Sequence, residues 1–184
     1  MPPDATEGIY LTHKPGRLAK APPRGFTLIE LLVALALLVV LATWAVPGFQ
    51  RLTARNEVAA EVMRIKTALA LAKNTAVTRR QVIAVCPVAS AGASACEPHD
   101  WSRPIAIVDG PAPAGDLSGT RILRLLEPSD GPVITFNRDF PVRFRATGWS
   151  RGHNGTFTVC GRDQRAVRIV LSNLGKTRTE QATC

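Results

Sequence analysis

Aromatic residues make up only 5% of the 184-residue chain, histidine occurs three times, and acidic side chains are outnumbered 14 to 23 by lysine and arginine. Each shortage excludes a class of function. His13, His99 and His153 have neither the one-turn helical pairing nor the cysteine spacing of a zinc site, and each reads as a surface or loop histidine. Asp109, Asp116, Asp130 and Asp139 lack the regular acidic spacing of a calcium loop. Gly110, Gly115, Gly119 and Gly131 form no phosphate-binding fingerprint. Nothing pairs a nucleophile with a base, so the chain reads as a non-enzyme without metal or cofactor. With so few aromatics, Trp101 and Trp149 read as core residues and not as a platform for stacking bases. There is no internal repeat and no second domain.

What the chain does have is one long apolar run. From Phe26 to Val46 the only charge is Glu30, and about 20 apolar residues suffice for a helix to cross a bilayer. Lys14, Arg17, Lys20 and Arg24 precede the run, and Gly25-Phe26 stands at its start. A secretory signal is cut after its apolar segment and lost. Here the junction lies in front, so cleavage before the run is expected to leave the apolar helix as a new N-terminus. A plain anchor with Glu30 near the headgroups accounts for the carboxylate, which costs several kcal/mol in hydrocarbon, but not for Gly25-Phe26.

Residues 1–25, with five prolines, read as an unstructured cytoplasmic leader, residues 26–46 as the membrane half of a helix, 47–80 as its amphipathic half, and 81–184 as a β-rich domain. Pro47-Gly48 is expected to kink or locally melt the helix. Beyond it, Val58, Val62, Ile65, Leu69, Ala72 and Ala76 recur at spacings of four and three, the apolar stripe of a docked helix. Arg55, Glu61, Arg64 and Lys73 fall mainly off that stripe. A helix from about Phe26 to about Thr78 would be roughly 75 to 80 Å long, more than a bilayer needs. Short strands follow at Gln81–Pro87, Pro104–Val108, Thr120–Leu126, Val133–Asn137, Val142–Arg145, Thr156–Cys160, Ala166–Leu171 and Thr177–Thr183, with loops at 88–100, 110–115 and 128–132. One long helix packed on an antiparallel sheet is an α+β fold.

The basic leader keeps its side of the membrane, placing the C-terminal domain in the periplasm, an oxidising compartment. Cys86, Cys96, Cys160 and Cys184 then read as disulfides; three pairings are open, and Cys86 with Cys96 and Cys160 with Cys184 is favoured by proximity in sequence or on adjacent strands. The net charge is +9, of which the leader holds +2; residues 138–184 alone carry +6. Such clustering draws anionic partners, although a solvated basic surface has the same composition.

Gly25-Phe26-Thr27-Leu28-Ile29-Glu30 closely resembles the processing site of type IV pilins and pseudopilins. The resemblance implies cleavage after Gly25 by a prepilin peptidase, N-methylation of Phe26, and a role for Glu30 in docking subunits during assembly. Cys86-Pro87, the cysteine loop, Trp101, Thr156–Cys160 and Leu171–Gly175 narrow the resemblance to the FimT/GspH family of minor pilins and pseudopilins, whose fold is a roll of one long helix on antiparallel sheet. In FimT-type members a Gly-Arg-x-Arg motif binds DNA for natural transformation. The matching positions here are Gly175, Lys176 and Arg178, with lysine in place of the first arginine. Lysine keeps the attraction for phosphate and gives up the two-pronged donor. The resemblance thus implies non-specific DNA binding at Gly175, Lys176 and Arg178, with Arg162, Arg165 and Arg168 as candidates to widen the patch and the Cys160–Cys184 bridge to stiffen it. Strict alternation puts Arg165 and Arg168 on opposite faces of their strand. The implied partners are DNA, other major and minor pilins, the prepilin peptidase and the inner membrane. A structural pseudopilin of a type II secretion system, without DNA binding, is the alternative.

Overall fold

The structure, a computed structural model, describes residues 25–128 and 131–184. Residues 1–24 of the expected leader, with His13, Lys14, Arg17, Lys20 and Arg24, and the middle of the 128–132 loop, with Asp130, lie outside the described residues. The chain divides into two compact units, one ending at Ala42 and the other spanning Thr43–Cys184.

The first helix, α1, covers Leu28–Arg79. Its start is capped by Thr27, whose hydroxyl accepts the Glu30 backbone N–H at 3.3 Å, and Glu30 stands in the first turn, where a negative charge suits the helix dipole. In the first unit the apolar side chains face outward throughout, Phe26 being 88% and Leu38 62% exposed. This stretch is long and apolar enough to cross a membrane.

In the second unit the helix runs unbroken through Pro47 and Gly48, so of the two expected outcomes local melting does not occur. One proline deletes a single backbone bond, and the turns on either side keep the backbone helical. Ala54, Val58, Ile65, Ala68, Leu69, Ala72 and Ala76 form the buried face, and Val62 packs beside them half-buried. The helix stops at Arg80, which takes the left-handed conformation (φ 54°), and the Gln81 N–H returns to the Ala76 carbonyl at 3.2 Å.

Eight strands follow: β1 (Ile83–Pro87), β2 (Ile105–Asp109), β3 (Ile122–Leu126), β4 (Val133–Phe136), β5 (Val142–Phe144), β6 (Gly155–Cys160), β7 (Arg165–Leu171) and β8 (Thr177–Thr183). They form two antiparallel four-stranded sheets, β3-β2-β1-β5 and β4-β6-β7-β8, where a single sheet was expected. The main core lies between the helix stripe and both sheets, with Trp101 edge-on to Phe157 (4.7 Å) and Phe157 stacked on Phe136 (4.2 Å). A smaller core on the other face of β1 gathers Ala84, Cys86, Val88, Ala106, Val108, Ala112 and Leu117 under the loops. Strand β1 is therefore buried on both faces.

Both favoured disulfides are present, Cys86–Cys96 and Cys160–Cys184, each with Cα atoms 5.7 Å apart. Cys160 and Cys184 are not on adjacent strands, because β7 runs between β6 and β8. Cys184 follows the end of β8 and reaches Cys160 around the 160–165 turn, where its N–H bonds the Gln164 carbonyl at 3.1 Å.

Candidate functional site

Residues Ser172–Lys176 make the hairpin turn between β7 and β8. The Ser172 N–H donates to the Lys176 carbonyl (2.9 Å), the Gly175 N–H to the Ser172 carbonyl (2.9 Å), and the Lys176 N–H to the Ser172 hydroxyl (3.2 Å). Gly175 has φ 68° and is pressed against the Gly148 carbonyl, which any β-carbon would strike; Phe144 lies on the same side. The glycine is thus required by a left-handed backbone and a close approach. From the helix, Lys73 Nζ donates to the carbonyls of Gly175 (3.0 Å) and Leu174 (3.5 Å). The turn is held by Lys73 and Gly148, whereas the expected brace, Cys160–Cys184, closes the far end of β8.

Lys176 and Arg178 are both exposed. Arg178 Nε is 3.0 Å from Glu180, and Arg168 stands opposite Glu180 in the β7–β8 register. Arg168, Arg178 and Glu180 share the sheet's outer face with Thr135, Thr156 and Thr158, bordering an open groove of about 460 Å³. Arg162 and Arg165 are placed elsewhere. Arg162 pairs with Glu57 on the helix at 3.3 Å, and Arg165 pairs with Asp163 at 3.3 Å on the opposite strand face from Arg168. Only Arg168 of the three candidates joins Arg178.

A second basic group was not legible as a site. Gly148 and Ser150, both buried, turn inward, and the Ser150 N–H bonds the Asn173 carbonyl at 2.9 Å. Trp149 between them is pushed out, so it is 41% exposed with Arg151 over its ring at 5.2 Å, not a core residue; Trp101 is fully buried as expected. Arg143, Arg145, Arg151 and His153 converge beside it. His153 is half-buried, its Nδ1 2.8 Å from the Pro141 carbonyl, so the Nδ1–H donates there. Burial, helped by the charges of Arg143 and Arg145, holds its pKa below the usual histidine value, against the opposing effect of that hydrogen bond. The signal in sequence was the Arg143-x-Arg145 alternation on a strand.

Among the other named residues, Gly25 and Phe26 are exposed, and His99 is exposed 3.5 Å from Asp139. Arg64 is not a solvated off-stripe charge: it donates to the carbonyls of Trp101 (2.8 Å), Glu127 (3.0 Å) and Arg103 (3.3 Å) and pairs with Glu61 at 2.6 Å.

Residues 61–175 match the family described as type II transport protein GspH, and residues 22–46 match the prokaryotic N-terminal methylation motif. A search of curated proteins found no significant match. Among solved structures, a crystal form (space group P21) of the type IV minor pilin FimU of Pseudomonas aeruginosa strain PAO1 is similar with TM-score 0.55 and 20% identity, over 70% of this chain and 92% of that one. A second form, in P65, gives TM-score 0.47 and 18% identity over 71% and 91%. The likeness to the first form shows the shared fold, a long N-terminal helix packed on antiparallel sheets.

Proposed function

Because this chain belongs to the GspH family of type IV minor pilins and pseudopilins, structural subunits and not enzymes, we propose that it is a minor type IV pilin that binds extracellular DNA for uptake. The anchoring half of the reading is supported by the outward-facing apolar residues from Phe26 to Phe49, a surface that needs lipid and then neighbouring helices to cover it. Cleavage after Gly25, methylation of Phe26, docking through Glu30 and a periplasmic C-terminal domain complete that half. Glu30 also stands in the first turn of the helix, where its charge suits the dipole.

The observation that carries the DNA half is the exposed pair of Lys176, on a turn fixed by Lys73 and Gly148, and Arg178, at the start of β8. Backbone phosphates are bound through such charges without regard to sequence. Arg178 already has Glu180, but an exposed pair is worth only about 0–1 kcal/mol, so a phosphate can compete for it. That pairing is also what favours the second reading, a pseudopilin of a secretion system whose basic face is structural.

A gel-shift titration of the full chain in detergent separates the two. Binding of duplex DNA at low salt, falling steeply with added salt and losing about two units of salt slope in Lys176→Ala/Arg178→Ala, is the expected result. No binding at low salt, or binding indifferent to the double substitution, overturns the DNA reading. N-terminal sequencing of the protein from a host with a prepilin peptidase should begin at Phe26; any other start removes the filament-subunit argument.

A further inference from the structure

We propose that the recess lined by Val82, Pro111, Arg143, Arg145, Arg151 and His153 is a binding site for a phosphate group, separate from the Ser172–Lys176 turn. The proposal does not depend on DNA binding at that turn.

The recess is built from three directions. β5 sets Arg143 opposite Ala84 in register, on the sheet face turned away from the helix, and Arg145 continues the strand's line. The turn that follows is closed by the Gly148 N–H on the Arg145 carbonyl (2.7 Å) and the Arg145 N–H on the Trp149 carbonyl (2.9 Å), which brings Arg151 and His153 back to the same place. Val82 and Pro111 form the apolar wall. The resulting volume is about 400 Å³, room for a phosphate with its remaining water or with a sugar attached.

Its charge is unbalanced. Three guanidinium groups, which stay protonated in proteins, line the recess and no carboxylate does. Asp109, next to the Gly110–Pro111 wall in sequence, stands opposite Ile83 on the helix-facing side of the sheet and already serves Arg79, Arg121 and Gln81. Arg162, Arg165 and Arg178, by contrast, each have a carboxylate within 3.3 Å. Among the described residues no ion pair neutralises Arg143, Arg145 or Arg151. Arg143 spends Nη2 on the Ala112 carbonyl (3.1 Å), while its Nε is buried with no hydrogen-bond partner. A buried donor left unmade costs about 1–3 kcal/mol.

An oxyanion answers the unbalanced charge. The planar forks of arginine suit phosphate, whose oxygens accept paired N–H groups. His153 adds a switchable donor: with Nδ1 committed to Pro141, Nε2 is an acceptor in the neutral ring and becomes a donor on protonation. The charged groups facing it are Arg143 on β5 and Arg145 and Arg151 from the turn, with Phe140 edge-on at 5.1 Å, so nothing on these elements offers a counter-charge until an anion arrives.

The same chemistry is presented by a free phosphate ion and by a nucleic-acid backbone. Trp149, exposed beneath Arg151, offers a ring for a base in the second case.

The test titrates the full chain in detergent with inorganic phosphate, against chloride at equal ionic strength, by calorimetry and by the NMR signals of the His153 ring. Saturable phosphate binding that raises the His153 pKa, weakens about tenfold or more in Arg145→Gln/Arg151→Gln and persists in Lys176→Ala/Arg178→Ala is expected. A short oligothymidylate then distinguishes the sources: displacement of phosphate identifies a phosphodiester seat, and failure to displace it identifies a site for the free ion. Absence of saturable phosphate binding, binding unchanged by the Arg145/Arg151 substitutions, or binding lost only with Lys176 and Arg178 overturns the proposal. Arg145 and Arg151 are exposed, so the test does not rely on replacing the part-buried Arg143.

Discussion

Lys73 Nζ, on the helix, donates to the Gly175 carbonyl at 3.0 Å, tying the turn between the last two strands to a residue 102 positions earlier. A charged donor to a part-buried carbonyl contributes about 1.5–3 kcal/mol, against about 1 for a neutral bond. Replacing Lys73 by methionine keeps the aliphatic stem and deletes the donor. The expected loss is about 1–2 kcal/mol of unfolding free energy, measured by denaturant titration of the full chain in detergent, together with faster amide exchange confined to residues 172–176.

Gly175→Ala should cost more than its size suggests. The new β-carbon meets the Gly148 carbonyl and forces a left-handed backbone onto alanine, a penalty of about 1–3 kcal/mol before any repacking. Because no charge changes, a drop in DNA affinity in this variant would report turn geometry alone. Unchanged thermal stability would show that the turn relaxes away from Gly148.

Arg64→Met removes a guanidinium that gathers the carbonyls of Trp101, Arg103 and Glu127 around the helix. Its side chain is 13% exposed, so water replaces those bonds poorly. A loss of about 2–4 kcal/mol is expected in chemical unfolding, larger than for Arg55→Met on the solvent side.

His153 should make the fold acid-sensitive. Its pKa is lowered in the folded state, so between the ordinary histidine value of about 6.5 and the lower folded value the unfolded chain binds the extra proton and stability falls as pH falls. Above that window both states are neutral and the group contributes nothing. The melting temperature should decline on acidification from about pH 7.5 to about pH 5, and His153→Gln should flatten that part of the profile.

Opening Cys160–Cys184 by paired serine substitution should cost about 3 kcal/mol, given a closed loop of 24 residues. DNA binding at the turn should nevertheless persist in the folded protein, because the bridge sits at the opposite end of β8. A gel shift below the melting temperature checks this.

The helix stripe from Val58 to Ala76 was legible because burial imposes a period on it, and the eight strands because turn residues bound short β-rich runs; the strand ends fall within two residues of the expected positions. What escaped notice depends on contacts distant in sequence. Arg64 and Lys73 look like ordinary solvent-face residues until carbonyls from 101 to 127 and from 174 to 175 arrive beside them. Trp149 looks like core until Gly148 and Ser150 claim the inward positions. The convergence of Arg143, Arg145, Arg151 and His153 requires the 145–151 turn to fold back, and no local period encodes that.

Strand β8 closes one margin of its sheet, pairing among the described residues with β7 alone. Along it Arg178 and Glu180 alternate with threonines and glutamine, and it lacks the large apolar side chains that would glue it to another strand. An unpaired margin of this kind is a poor template for accretion of further sheet. Where many copies crowd together, as in the filament proposed here, lateral β-aggregation is disfavoured and growth is left to the apolar helices.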